Sequence, residues 1–269
     1  LTIFIKGGFL ILIVMYFYKY HGAGNDFIII NNLNNEFVIE NEFIKKLCHR
    51  RLGIGADGLM LLNKSQNYDF EMQYFNSDGF EGSMCGNGGR CIVAFAKKNG
   101  LINEFTKFKA IDGEHEAYIQ SDNSVKLKMS DVENITSNEK YYFLNTGSPH
   151  YVVFVDNVAE IDVFNKGKQI RYSSEFSPAG TNVNFAEICE NYIKIRTYER
   201  GVEDETLACG TGTVATALSF ALKTNLNGKS VNLKTLGGDL KVYFNKKENV
   251  FTDIWLEGPT EFVFEGSFE

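Results

Sequence analysis

No apolar stretch in this 269-residue chain approaches the roughly 20 residues that a helical membrane span needs; the run Phe9 to Val14 is far too short. The same run is a poor secretory signal, because Lys6 is the sole early charge and no small-residue cleavage site follows it. Lysine and arginine never occur more than two in a row, and the net charge is −7. This composition argues against a nucleic-acid surface. Close cysteine or histidine pairs of the zinc-ligand kind are also missing. The nearest cysteines, Cys85 and Cys91, are six apart and stand beside no His or acidic pair, so no metal site is expected. Five cysteines (Cys48, Cys85, Cys91, Cys189 and Cys209) are an odd number in a chain too large to need disulfide staples. Reduced thiols in the cytoplasm are the expectation, with Cys48, Cys91 and Cys189 as buried structural thiols. The glycines of Gly53-Ile54-Gly55-Ala56-Asp57-Gly58 match a dinucleotide fingerprint, but a helical pattern precedes them and an apolar strand follows. That is the reverse of the required order, so they read as a turn.

What the chain does contain is one short motif twice: Cys85-Gly86-Asn87-Gly88 and Cys209-Gly210-Thr211-Gly212. Each precedes a helical stretch, the first stopping at Asn99-Gly100 and the second expected to stop at Asn227-Gly228. A cysteine at a helix N-terminus meets unpaired N–H groups and the positive end of the macrodipole, which favour thiolate. Two of them suggest two thiols acting on one substrate from opposite sides. The correspondence extends to other landmarks. Sixty positions separate Asn25 from Cys85 and 59 separate His150 from Cys209, while Asp57 and Asn182 each follow their landmark by 32. Asn76 precedes Cys85 by nine positions and Glu199 precedes Cys209 by ten. Ordered landmarks at such spacing indicate duplication of a whole domain, and the length suits two domains.

Short runs rich in Tyr, Phe, Val and Ile read as strands: Phe27–Asn31, Leu59–Leu62, Phe70–Phe75, Tyr141–Leu144, Tyr151–Val155, Tyr192–Tyr198 and Val231–Leu233. Glu40 to Arg51 has helical spacing. Many strands with few helices fit α+β. No low-complexity linker divides the halves; the least patterned stretch, Ser130 to Glu139, is the expected boundary. The first domain then spans residues 15–134 with the tail 261–269 returning to it, the second spans 135–260, and residues 1–14 form an extension outside the fold.

Several polar residues carry two readings. His150 is either a core histidine or a neighbour that adjusts a thiol. Arg200, after Glu199, is either one side of a surface ion pair or a clamp for a substrate carboxylate. Asparagine is common in turns, yet Asn25, Asn76, Asn87 and Asn182 at duplicated landmarks suggest amides gathered around a zwitterionic ligand.

The stretches His21-Gly22-Ala23-Gly24-Asn25-Asp26-Phe27, Gly53 to Gly58, Phe75 to Cys91, Gly147 to His150, Gly180 to Phe185 and Tyr198 to Gly212 resemble the diaminopimelate epimerase family, from Met15 to the end of the chain. The resemblance implies interconversion of LL- and meso-2,6-diaminopimelate on the route to lysine and peptidoglycan, without pyridoxal phosphate or metal. It implies two pseudo-symmetric α+β domains, each with strands wrapped around a central helix, and a site in the cleft between them. Cys85 and Cys209 would be the acid–base pair. Asn25, Asn76, Asn182, Glu199 and Arg200 would hold the substrate, and Gly86-Asn87 and Gly210-Thr211 would offer N–H groups to its carboxylate. His150 and Glu199 would adjust thiol ionisation. The expected partner is a small amino acid, with no nucleic acid and no membrane; a homodimer is compatible. A proline or hydroxyproline racemase and a catalytically silent binding relative remain alternatives. Three departures from the family pattern stand out: a longer loop through Val202-Glu203-Asp204-Glu205, Ser148 where Asn is frequent, and Gly58 where Gln is frequent.

Overall fold

The computed structural model describes residues 5–6, 9–10, 14–34, 37, 39–226 and 229–268. Near the start, β1 (Ile5–Lys6) and β2 (Phe9–Leu10) pair antiparallel with each other; the rest of the proposed extension, except Val14, lies outside the described residues. The first half runs β3 (Met15–Gly22), β4 (Asn25–Asn32), α1 (Asn41–Cys48), β5 (Gly58–Asn63), β6 (Phe70–Asn76), α2 (Gly86–Lys98), β7 (Phe105–Ala110), β8 (Gly113–Ile119) and β9 (Val125–Lys128). The second runs β10 (Ile135–Ser137), β11 (Tyr142–Asn145), β12 (Pro149–Phe154), a 3-10 turn (Val158–Glu160), α3 (Val163–Arg171), β13 (Asn182–Ile188), β14 (Ile193–Glu199), β15 (Asp204–Thr206), α4 (Gly210–Lys223), β16 (Ser230–Lys234), β17 (Asp239–Lys247) and β18 (Val250–Gly258). The last strand, β19 (Glu261–Phe268), lies antiparallel to β3.

The pairing pattern repeats. In each half an antiparallel hairpin (β3–β4, β11–β12) is joined by a helix crossover to a parallel partner (β4–β5, β12–β13). An antiparallel pair follows (β5–β6, β13–β14), then the central helix, then a second parallel crossover (β6–β7, β14–β16). The equivalent strands β9 and β18 pair antiparallel and join the halves into one continuous sheet. This is a duplicated, pseudo-symmetric α+β architecture with strands wrapped around α2 and α4.

Local chemistry explains the central elements. Phe27 to Ile30 and Leu59 to Leu62 are buried on both faces. Alternate residues meet α2 on one side and Ile44 and Leu47 of α1 on the other, so these strands are continuous apolar runs. Helix α4 is apolar nearly all round because strands enclose it. Its buried hydroxyls Thr213, Thr216 and Ser219 each donate at 2.8 Å to the carbonyl four residues back, leaving no polar group stranded. Helix α2 ends at Lys98 and Gly100 takes a positive φ of 71°. Helix α4 ends at Lys223; the stop expected at Asn227-Gly228 lies outside the described residues. Among the described residues, no helix is long and apolar enough to cross a membrane.

Candidate active site

The first turns of α2 and α4 meet at the junction of the halves. Cys85 and Cys209 are the N-cap residues of these helices, both with extended backbones. The following glycines touch: a Cβ on Gly210 would lie 3.6 Å from the Cα of Gly86 and 3.1 Å from Leu256. Two sets of free helix N–H groups and two positive dipole ends therefore converge on one place, an arrangement that favours an anion there. All five cysteines are free; Cys48, Cys91 and Cys209 are buried, whereas Cys85 and Cys189 are half-buried.

Around Cys85 the polar groups form one chain. Cys85 Sγ donates to Asn25 Oδ1 at 3.6 Å, and Asn25 Nδ2 donates to Asp57 Oδ2 at 2.6 Å. Asp57 and Asp26 share the Arg50 guanidinium, which grips Asp26 through two bonds of 2.7 Å. Burial alone would raise the Asp26 carboxyl, but Arg50 and then Lys19 outweigh it and bring it down to about 2. From the other side Asn87 donates to Asn25 Oδ1 at 3.3 Å and to the carbonyl of Ala208 at 3.0 Å, bridging the two cysteine turns. Arg90, fully buried one turn into α2, donates to Asn87 Oδ1 and to the Gly86 carbonyl and so fixes that amide.

Around Cys209 the chain is of hydroxyls and an imidazole. Thr211 Oγ1 lies 3.5 Å from Cys209 Sγ, 2.9 Å from His150 Nε2 and 3.2 Å from Ser148 Oγ. Asn184 donates to His150 Nδ1 at 3.0 Å and to the Tyr151 carbonyl, while Thr197 donates to Asn184 Oδ1. Burial, then the Arg200 charge, push His150 down to about 3, so the ring is neutral. Asn182 donates to Ser148 and the Pro149 carbonyl and accepts the backbone N–H of Arg200 at 2.8 Å. Glu199 accepts from Thr206 at 3.0 Å; burial raises its carboxyl.

Burial also decides the thiols. It pushes both above the ordinary cysteine range, at Cys85 against the N–H groups of Gly88 and Asn87, and at Cys209 with the Glu199 charge adding to it. The helix-end donors expected to favour thiolate are present, and desolvation outweighs them.

The structure thus gathers Asn25, Gly86, Asn87, Gly210, Thr211, His150 and Asn182 around the two thiols. The Glu199 charge is felt at both sulfurs. Asn76 stands exposed at the end of β6, its amide close to Gly82. Arg200 is half-buried, makes no ion pair among the described residues and donates from its guanidinium to the Ala179 carbonyl. Asp57, Arg90, Asn184 and Thr197 join the cluster although the sequence reading gave them no site role. A lone charge inside an apolar helix and the alternation Asn182-Val183-Asn184 were their available signals.

The three departures also find local reasons. The longer loop is pinned by Glu203, at a φ of 60°, which accepts from Arg171, Tyr172, Tyr198 and the Gly201 N–H. Ser148 is an internal link of the Cys209 network. At Gly58 a Cβ would sit 2.6 Å from the Phe75 carbonyl, so no side chain fits without movement.

Fold and paired thiols together define a class: duplicated α+β proteins that bring two helix-capping cysteines to the junction of their halves. The diaminopimelate epimerase family profile matches residues 17–135 and 142–263. A diaminopimelate epimerase of Flavobacterium psychrophilum is 51% identical over 253 residues, covering 93% of this chain and 99% of that one. That of Chlorobaculum tepidum is 45% identical, covering 91% and 98%. Among solved structures, a phenazine biosynthesis protein of the PhzF family from Bacillus anthracis superposes with a TM-score of 0.76 at 14% identity, covering 96% of this chain and all of that one. A hydroxyproline epimerase from Agrobacterium vitis gives 0.66 at 13%, covering 94% and 92%; these two likenesses concern the fold alone. The chain belongs to the diaminopimelate epimerase family.

Proposed function

We propose that this protein interconverts LL- and meso-2,6-diaminopimelate, serving lysine and peptidoglycan precursor synthesis, with Cys85 and Cys209 exchanging protons on opposite faces of one α-carbon. The observation that carries the reading is the contact between Gly86 and Gly210, which brings the two cysteine-capped helix ends against each other from matched halves. The hard step is removal of an unactivated α-hydrogen next to a carboxylate. The chain's own groups answer it. N–H donors of both helix ends, from Gly86-Asn87 and Gly210-Thr211, meet the reacting carboxylate as it gains enolate character. One sulfur takes the proton while the other delivers one, so configuration inverts without the substrate turning over. The reaction needs no pyridoxal phosphate or metal in this scheme.

Asn25, Asn76, Asn182 and Glu199 line the substrate's polar ends, and Arg200 supplies a guanidinium fork for its distal carboxylate. His150 and Glu199 act on thiol ionisation, His150 through the Thr211 hydroxyl. Free thiols of this kind persist in a reducing compartment, and the reading includes a cytoplasmic setting. Incubation with diaminopimelate isomers or with proline, followed by chiral separation, tests the substrate. Inversion of diaminopimelate and not of proline is the expected result; the reverse selectivity would refute it.

A further inference from the structure

We propose that Tyr74 is a further substrate-binding residue: its phenol oxygen accepts a hydrogen bond from the substrate ammonium nearest Cys85. This rests on the substrate reading above and adds a residue that holds and selects that substrate.

Tyr74 lies on β6, paired in register with Met60 and two positions before Asn76. Its ring behaves as a core group. It packs edge-on against Phe27, with centroids 6.1 Å apart, and the residue is 9% exposed. Two glycines leave room for it. A Cβ on Gly58 would lie 2.5 Å from one edge of the ring, and a Cβ on Gly82 would lie 3.2 Å from the other. Gly82 is tied in place by its N–H, which donates to the Tyr74 carbonyl at 2.9 Å. The departure at Gly58 thus has a counterpart. The space a side chain would take there is filled by Tyr74, whose hydroxyl is 3.0 Å from that Cβ position.

Packing accounts for the ring but not for the hydroxyl, which makes no hydrogen bond among the described residues. Burial, then the charges of Cys85, Asp57, Cys48 and Glu199, hold the phenol well above its ordinary range, so it stays protonated near neutral pH. A polar group this buried costs stability when unpaired, unless a ligand completes it. The groups it faces place it at the site. Cys85 and Glu199 come from opposite halves of the chain, and Asp57 orients Asn25.

The neighbours decide which substrate group it meets. Carboxylates only accept and ammonium groups only donate. Donors for the carboxylates stand elsewhere, at the two helix ends and at Arg200. Beside Tyr74 the side chains offer acceptors: Asn25 Oδ1, turned toward Cys85 by Asp57, and the buried Glu199 carboxyl. The nearby cations are already engaged. Arg50 holds Asp26 and Asp57, Lys19 pairs with Asp26, and Arg90 donates to the Gly86 carbonyl and Asn87. A positive group fits this corner, and the phenol adds an acceptor to it without adding charge.

The test compares wild type with Tyr74→Phe, which keeps the ring and its packing and removes only the hydroxyl. In steady-state kinetics with LL-diaminopimelate the variant should raise KM about tenfold or more, as expected for a hydrogen bond to a charged group, and change kcat by less than about threefold. Pimelate, the dicarboxylate of the same length without amino groups, serves as a competing ligand, and its inhibition constant should be the same in both proteins. An unchanged KM would overturn the assignment. Equal weakening of pimelate would also overturn it, because the hydroxyl would then serve a carboxylate. The diaminopimelate result decides alone if pimelate does not inhibit. Wild-type protein that leaves diaminopimelate unchanged refutes the proposed function and this inference with it, whereas an unaffected variant beside an active wild type refutes this inference alone.

Discussion

Asp57 accepts the Asn25 side-chain amide at 2.6 Å and thereby turns the amide oxygen of Asn25 toward Cys85. Asn25 opens β4 and Asp57 immediately precedes its parallel partner β5, 32 positions along the chain. Removing the carboxylate frees the amide to rotate. A hydrogen bond to a charged group is worth about 1.5–3 kcal/mol. Asp57→Ala should therefore lower kcat by roughly ten- to a hundredfold, with a smaller change in KM. Steady-state kinetics on protein of unchanged circular dichroism checks this; wild-type turnover would remove Asp57 from the site.

In the proposed scheme each sulfur serves one face of the α-carbon, so neither can replace the other within a turnover. Cys85→Ala and Cys209→Ala should each reduce epimerisation by at least about a thousandfold, near the upper range for general acid–base groups. Substantial turnover in either variant would rule out transfer between two thiols.

His150 is held neutral, with its proton binding pushed down to about 3. Its loss should cost activity without altering how the rate depends on pH around neutrality. Kinetics of His150→Gln from pH 5 to 8 should give a lower curve of the same shape as wild type. An acid limb near pH 6.5 in wild type that vanishes in the variant would contradict this.

The loop before Cys209 depends on Glu203. Burial would raise this carboxyl, but Arg171, the Gly201 N–H and the hydroxyls of Tyr172 and Tyr198 bring it from 4.5 down to about 2. A depressed carboxyl contributes stability above its unfolded value and loses it as pH falls through the folded one. Glu203→Gln should thus cost about 1–2 kcal/mol at pH 7, a modest figure because the side chain is 33% exposed. The gap from wild type should close between pH 4.5 and 2, as followed by urea unfolding. A gap that stays constant with pH would contradict the pairing.

Much of this was legible in the chain because duplication leaves matched spacings. The Cys85 and Cys209 motifs, the landmarks that follow Asn25 and His150 by 32 positions, and the apolar runs of β4 and β5 all announce themselves. Other elements do not, for physical reasons. Helix α3 carries Gly167 in mid-helix, where a Cβ would lie 2.4 Å from Tyr198, so packing forces a residue that weakens the helical signal. Strand β7 turns Thr106 and Ala110 inward and leaves Phe105 exposed, which blurs its alternation. Helix ends alone do not set thiol ionisation, because burial in the folded chain acts against them. Asp57 stood at a landmark and Asn184 beside one, but their contacts to Asn25 and His150 were not legible because they act on other side chains.

The most direct test is to follow LL-diaminopimelate in D₂O by mass spectrometry and chiral separation during the first turnovers. Proton transfer between Cys85 and Cys209 predicts meso product with one solvent deuterium at the inverted carbon, while unreacted LL substrate keeps its hydrogen. Product that retains the substrate's own hydrogen, or absence of both inversion and exchange, would contradict the account.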